Sequence, residues 1–145
     1  MESKGQIVKA MVVIRRPRDG ALLVSEAADP GGELFHRPLG GHVEFGEYAR
    51  DTAHREFQEE IGQALTGLRL AGVLENIFQW DGATQHEIVF VFTAAFADEA
   101  AYEIPEQAIA DDHGRARVIW RMPEASSPPL FPVGVVGLAA RPSPW

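Results

Sequence analysis

The chain has 145 residues, one domain's worth and enough to bury a single sizeable core. Apolar residues make up 46% and charged residues 23%, which excludes a long disordered or collagen-like chain, and the lack of cysteine removes disulfides, thiolate nucleophiles and Cys-ligated zinc. A net charge of −8 argues against polymeric nucleic acid or an anionic membrane surface as partner, though a small anion stays compatible if a cation mediates the contact.

At the N-terminus, MESKGQIVKAMVV carries charges and a glycine where a secretion signal needs an unbroken apolar stretch. The most apolar run, Ile88 to Ala97, is about half the length of a membrane-spanning helix, so a cytoplasmic protein is expected. Residues 6–15 and 21–25 are β-rich runs around a PRDG turn and suggest a hairpin. Residues 26–33 read as a loop, and 34–38 and 42–45 as short extended pieces around a Gly40-Gly41 turn. From Tyr48 to Ile61 the pattern is helical, because Ala49, Ala53, Phe57 and Ile61 recur every fourth residue. Gly62 is the expected left-handed stop.

Two long strands follow, at 67–79 and 86–96, separated by Trp80-Asp81-Gly82-Ala83. An acid-rich loop spans 98–114, and Arg115 to Met122 reads as a last strand. Six of the ten prolines fall at or after Pro123, so 123–145 reads as an extended segment. It still carries Leu130, Phe131, Val133 and Val135 and is expected to lie on the body, with a second helix within 123–140 and frayed last residues. The reading is one α+β domain over residues 1–145.

The informative segment is 41–62, GHVEFGEYARDTAHREFQEEIG. Glu56, Glu59 and Glu60 fall on neighbouring helical turns, where each like-charge pair costs roughly 0.2–0.5 kcal/mol in an isolated helix. They also occupy the helix's negative end. Arg55 offsets part of this through Glu59 at i,i+4, yet local stability alone does not place three acids there. A solvated acidic face is the bland reading. The company they keep favours another: Glu44 and Glu47 precede the helix, and a loop folded back would converge with the helical acids as hard oxygen ligands suited to Mg²⁺ or Mn²⁺.

The segment resembles the Nudix box through Gly41, Glu47, Arg55, Glu56, Phe57, Glu59, Glu60 and Gly62, with Gln63 where an apolar residue is usual. The Arg37-Pro38-Leu39-Gly40-Gly41 lead-in resembles one Nudix subgroup, and the likeness covers roughly residues 6–132. It implies a mixed β-sheet sandwiched between helices. It also implies divalent-metal-dependent hydrolysis of a small nucleoside-diphosphate-linked substrate by water attack on phosphorus. The resemblance makes Glu56, Glu59 and Glu60 metal ligands, joined by the Gly40 carbonyl. Glu56 is also a candidate base, and Glu47 and Arg55 are an orienting pair. The alternative is a non-catalytic Nudix-fold module that binds a nucleotide or metabolite. A prenyl diphosphate isomerase of this family would need a cysteine that is absent.

Beyond the box, some relatives place a Glu just before the Trp of the last strand, where this chain has Ile119. Asp111, Asp112 and His113 form the nearest replacement cluster, and Glu87 is a further candidate ligand or base at the head of a strand. Arg37 pairs either with a substrate phosphate or with Glu44 or Glu47. Substrate contact is thus assigned to Arg37, Glu87 and Asp112. Phe35, Phe78, Trp80 and Tyr102 fall near loops that border a cleft, or else belong to the core. No histidine stands at metal-ligand spacing from another. The oligomeric state stays open, a homodimer being one option since many similar proteins are dimers.

Overall fold

A computed structural model describes residues 5–109 and 116–140. Asp111, Asp112 and His113 lie outside the described residues.

The core is organised by β1 (Ile7–Val13), an apolar strand with both faces covered. It pairs in parallel with β6 (Ala83–Phe96) and antiparallel with β4 (Leu39–His42). With β5 (Leu65–Trp80) beyond β6, these form a four-stranded mixed sheet ordered β4-β1-β6-β5. Alternation splits β1 between two cores. Ala10, Val12 and Ile14 face Ala53 and Phe57 of α1 (Ala49–Ile61), whereas Met11 and Val13 face the side that holds Val135 of α2 (Val135–Ala139). The mixed sheet therefore lies between two helices.

The remaining strands, β2 (Leu22–Ala28), β3 (Leu34–Arg37), β7 (Glu106–Ala108) and β8 (Arg117–Arg121), make a second, antiparallel sheet ordered β3-β2-β8-β7. Here the structure corrects the expected first hairpin. The PRDG turn does reverse the chain, with Leu23 N–H donating to the Ile14 carbonyl at 3.0 Å and an Arg15–Leu22 bridge, but β1 and β2 then part into different sheets. A turn motif fixes where a chain reverses, while the pairing of the strands beyond it is decided by non-local burial.

Helix α1 starts after Tyr48 and ends at Gly62, whose φ of 66° is left-handed. The expected stripe is its core face: Ala53 and Phe57 are fully buried, with Ala49 and Ile61 packed alongside. Between β5 and β6 stands a two-residue turn, Asp81 at φ 51° and Gly82 at φ 79°, the backbone that matches strand twist. The described part of the acid-rich segment is more ordered than a loop: it forms a 3₁₀ turn at Glu99–Glu103 and then β7.

An arginine-braced glutamate helix beside a cleft

Arg55 is the hub of the charged segment. Its Nε donates to Glu47 Oε2 at 2.8 Å and its Nη2 to Glu47 Oε1 at 3.0 Å. Nη1 serves two acids on its own helix, Glu56 Oε1 at 3.0 Å and Glu59 Oε2 at 3.2 Å. Nη2 also reaches the His42 carbonyl at 3.1 Å, which pins the helix to the end of β4. Thr52 Oγ1 donates to Glu47 Oε1 at 2.6 Å, so Glu47 is held from two sides. Arg55, and secondarily Thr52, hold the Glu47 carboxyl well below the usual carboxylate range, at about 2, and the glutamates around Arg55 raise its own pKa in turn. The cluster is a charge lattice around one cation.

Gly40 and Gly41 do not form the expected turn; both lie within β4, opposite Met11 and Ala10. A side chain at Gly40 would collide with the Ala10 carbonyl, and one at Gly41 with the Glu56 carboxyl group. The glycine pair is therefore needed for close approach, to β1 on one side and to the helical carboxylate on the other. The Gly40 carbonyl belongs to the peptide leading into the residue against which Glu56 rests.

Glu56, Glu59 and Glu60 occupy the C-terminal half of α1, whose last turn holds no basic residue, and Glu60 Oε1 is buried. Among the described residues no three acids or histidines converge on a single point as a ready metal cage. The donor set nonetheless fits a hard divalent cation. All donors are oxygen, the three carboxylates share one helix end, and the missing Cβ of Gly41 lets the Glu56 carboxyl lie against the glycine-pair backbone. Two of the acids, Glu56 and Glu59, are now compensated by Arg55, whose other donors remain on Glu47.

Beside this helix, on the opposite face of the mixed sheet, opens a cleft of about 810 Å³. That volume suits a ligand the size of a nucleotide. A polar row crosses its floor through all four strands: His42 of β4, Lys9 of β1, Glu87 of β6 and Asn76 of β5. Lys9 Nζ meets Glu87 Oε2 at 2.6 Å, and Asn76 Nδ2 donates to Glu87 Oε1 at 3.4 Å. Glu87 is buried and Lys9 half-buried, their side chains 5% and 13% exposed. Burial and the nearby Arg37 push the Lys9 ammonium below its usual pKa, and burial and Lys9 do the same for His42. His42 joins the two features, for its ring lines the cleft while its carbonyl holds Arg55.

Arg37 also lines the cleft, its guanidinium 5.5 Å over the Phe35 ring. Glu44 and Glu47 pair with Arg55 instead, which removes the expected alternative of an Arg37 pair with either. Phe35, Phe78 and Trp80 wall the cleft, and Phe35 meets Trp80 edge-on with centroids 5.6 Å apart. Tyr102 does not border it; this ring is buried in the core and its hydroxyl accepts from Phe96 N–H at 2.9 Å. Lys9, His42 and Asn76 escaped the sequence reading because they converge from three separate strands.

A mixed sheet between helices, with three glutamates at one helix end and two of them braced by an arginine, is the arrangement of a Nudix-type hydrolase. The sequence matches the NUDIX domain over residues 5–130, and the chain belongs to that family. Among solved structures it is similar to a MutT NUDIX hydrolase from Burkholderia pseudomallei, with 23% identity, a TM-score of 0.67 and coverage of 92% of this chain and 96% of that one. The ORF135 protein of E. coli is 22% identical with a TM-score of 0.54, over 95% of this chain and 89% of that one. A NUDIX hydrolase from Nitrosomonas europaea is 24% identical with a TM-score of 0.53, and the match covers 65% of this chain and 61% of that chain. At these identities the likeness carries the fold. No helix among the described residues is long and apolar enough to cross a membrane.

Proposed function

We propose that the protein cleaves the diphosphate bond of a small nucleoside-diphosphate-linked substrate, with Mg²⁺ or Mn²⁺ as cofactor. The observation that carries this is His42, whose carbonyl accepts from Arg55 of the glutamate helix while its ring lines a cleft of nucleotide size on the other face of the sheet. Glu56, Glu59 and Glu60, with the Gly40 carbonyl, would hold the cation. When bound, it polarises the phosphoryl oxygens and lowers the pKa of the attacking water. Glu56, the acid nearest the glycine pair, would be the candidate general base for the attacking water. Arg55 and Glu47 fix the carboxylates so that little reorganisation is left at the moment of reaction. Arg37, with no carboxylate ion pair among the described residues, supplies a guanidinium for the substrate's phosphates, and Glu87 supplies an acceptor on the cleft floor.

The test is phosphate or mononucleotide release with Mg²⁺ or Mn²⁺ across nucleoside triphosphates, nucleotide sugars, ADP-ribose, dinucleoside polyphosphates and NADH. Product from at least one class is expected, lost in Glu56→Gln and Glu60→Gln variants that keep the native circular dichroism. Thermal stabilisation by a ligand without any product would make the protein a binding module instead.

A further inference from the structure

One wall of the cleft is built by the chain after β8, and a buried histidine–arginine contact holds it there. His36 of β3 and Arg121 of β8 are 4% and 7% exposed. Arg121 Nη1 lies 2.9 Å from His36 Nδ1, and His36 Nε2 lies 2.8 Å from Glu26 Oε2. A guanidinium has donors only, so Nδ1 must present a lone pair and the ring proton sits on Nε2, donated to Glu26. From that position Arg121 donates to the carbonyls of Pro128 and, at 2.8 Å, Ala125. The backbone of His36 closes the strap: its N–H donates to the Pro129 carbonyl and its carbonyl accepts from Phe131 N–H, both at 2.9 Å. Phe131, Pro132 and Val133, which follow directly, line the cleft, and Phe131 lies 6.3 Å from Phe35 between ring centroids.

We infer that His36 and Arg121 are positioning residues for this wall, and that protonation of His36 at Nδ1 releases Arg121 from the ring and loosens the strap of residues 125–133. The charged groups around the ring set the direction. Glu26 of β2 faces Nε2 and is itself held by Arg117 of β8, at 2.7 Å from Arg117 Nη2. Glu106 of β7 reaches the ring only through Arg117. Arg121 faces Nδ1, and the strap contributes backbone groups. A protonated ring keeps its bond to Glu26 and loses its acceptor toward Arg121, so two buried cations face one another and the arginine, with the carbonyls it carries, is the partner that must move.

The consequence for substrate binding rests on the hydrolytic reading above, whereas the movement of the strap does not, so the experiment has two arms. Hydrogen exchange of the His36 and Phe131 amides in the wild-type protein, corrected for intrinsic rates, is followed from about pH 8 to about pH 5. Protection at both falls by about tenfold or more while the β1 and β6 amides hold. In His36→Asn, whose Oδ1 can stand in for Nδ1 and takes no proton in this range, protection stays level. In the second arm KM for whichever substrate the panel identifies rises over the same range in the wild type and stays level in His36→Asn. Unchanged wild-type protection overturns the inference, as does an equal loss in His36→Asn. The nitrogen shifts of the wild-type His36 ring give a readout free of any variant: a proton on Nδ1 at neutral pH overturns it outright. A chain that hydrolyses nothing yet shows the exchange change refutes the hydrolytic reading and leaves the strap standing.

Discussion

Glu47 grips Arg55 with both carboxylate oxygens, at 2.8 and 3.0 Å, and leaves Nη1 alone to serve Glu56 and Glu59. The fork thereby orients two of the three helical acids without the arginine leaving its own partner. Lysine offers a point charge and cannot span this set. Arg55→Lys is expected to fold as the wild type and to lose about 10–100-fold in turnover or metal affinity, the scale for partners that orient ligands. Steady-state kinetics with a magnesium titration decide it, and turnover equal to wild type would remove the bracing role.

The same pair sets an acid response. The folded-state pKa of Glu47, about 2, lies below that of an unpaired glutamate, so its stabilising contribution is complete above the ordinary glutamate range and is lost only as pH falls toward about 2. The stability gap between wild type and Glu47→Gln should therefore be constant near neutrality and shrink on acidification through that window. Denaturation at a series of pH values measures it. A gap that instead closes as pH rises would contradict the sign.

Close approach at the glycine pair gives two separable outcomes. In Gly41→Ala the new methyl meets the Glu56 carboxyl, the end of a flexible side chain, so Glu56 swings away from Arg55 and metal-dependent turnover falls. In Gly40→Ala it meets the backbone carbonyl of Ala10 in the central strand, which has nowhere to go. Gly40→Ala is expected to lose about 1–3 kcal/mol or more of stability, as an overpacked core does, with Gly41→Ala losing less. Thermal denaturation beside activity separates the two.

Local chemistry explains what the sequence made legible. Helix α1 could be read from end to end because its apolar stripe, its stop at Gly62 and its Arg55–Glu59 spacing are all set within a few residues. The Asp81-Gly82 turn was legible for the same reason, since both residues must take positive φ. Gly40-Gly41 misled because paired glycines also mark turns; here they serve close packing that only β1 and Glu56 reveal. The parallel pairing of β1 with β6 and the second sheet depend on contacts between distant segments, and so do the cleft floor and the His36–Arg121 contact, whose partners stand 85 residues apart. Nothing in any one stretch announces them.

The Lys9–Glu87 pair offers the sharpest test of the cleft floor. Glu87 is buried and Lys9 half-buried, and besides Lys9 the Glu87 carboxylate accepts from Asn76 at 3.4 Å. Removing one partner of such a pair strands the other charge, at a cost of about 3–5 kcal/mol, whereas replacing both by apolar groups is often near neutral. Lys9→Met is therefore expected to be strongly destabilised, and the double variant Lys9→Met, Glu87→Leu to recover most of the loss. Urea denaturation of the four proteins in a double-mutant cycle yields the coupling directly. The functional arm goes the other way: because Glu87 is the buried acceptor offered to substrate, the double variant should regain stability while its KM stays raised. Recovery of both together would reduce the pair to a structural tie beneath the cleft.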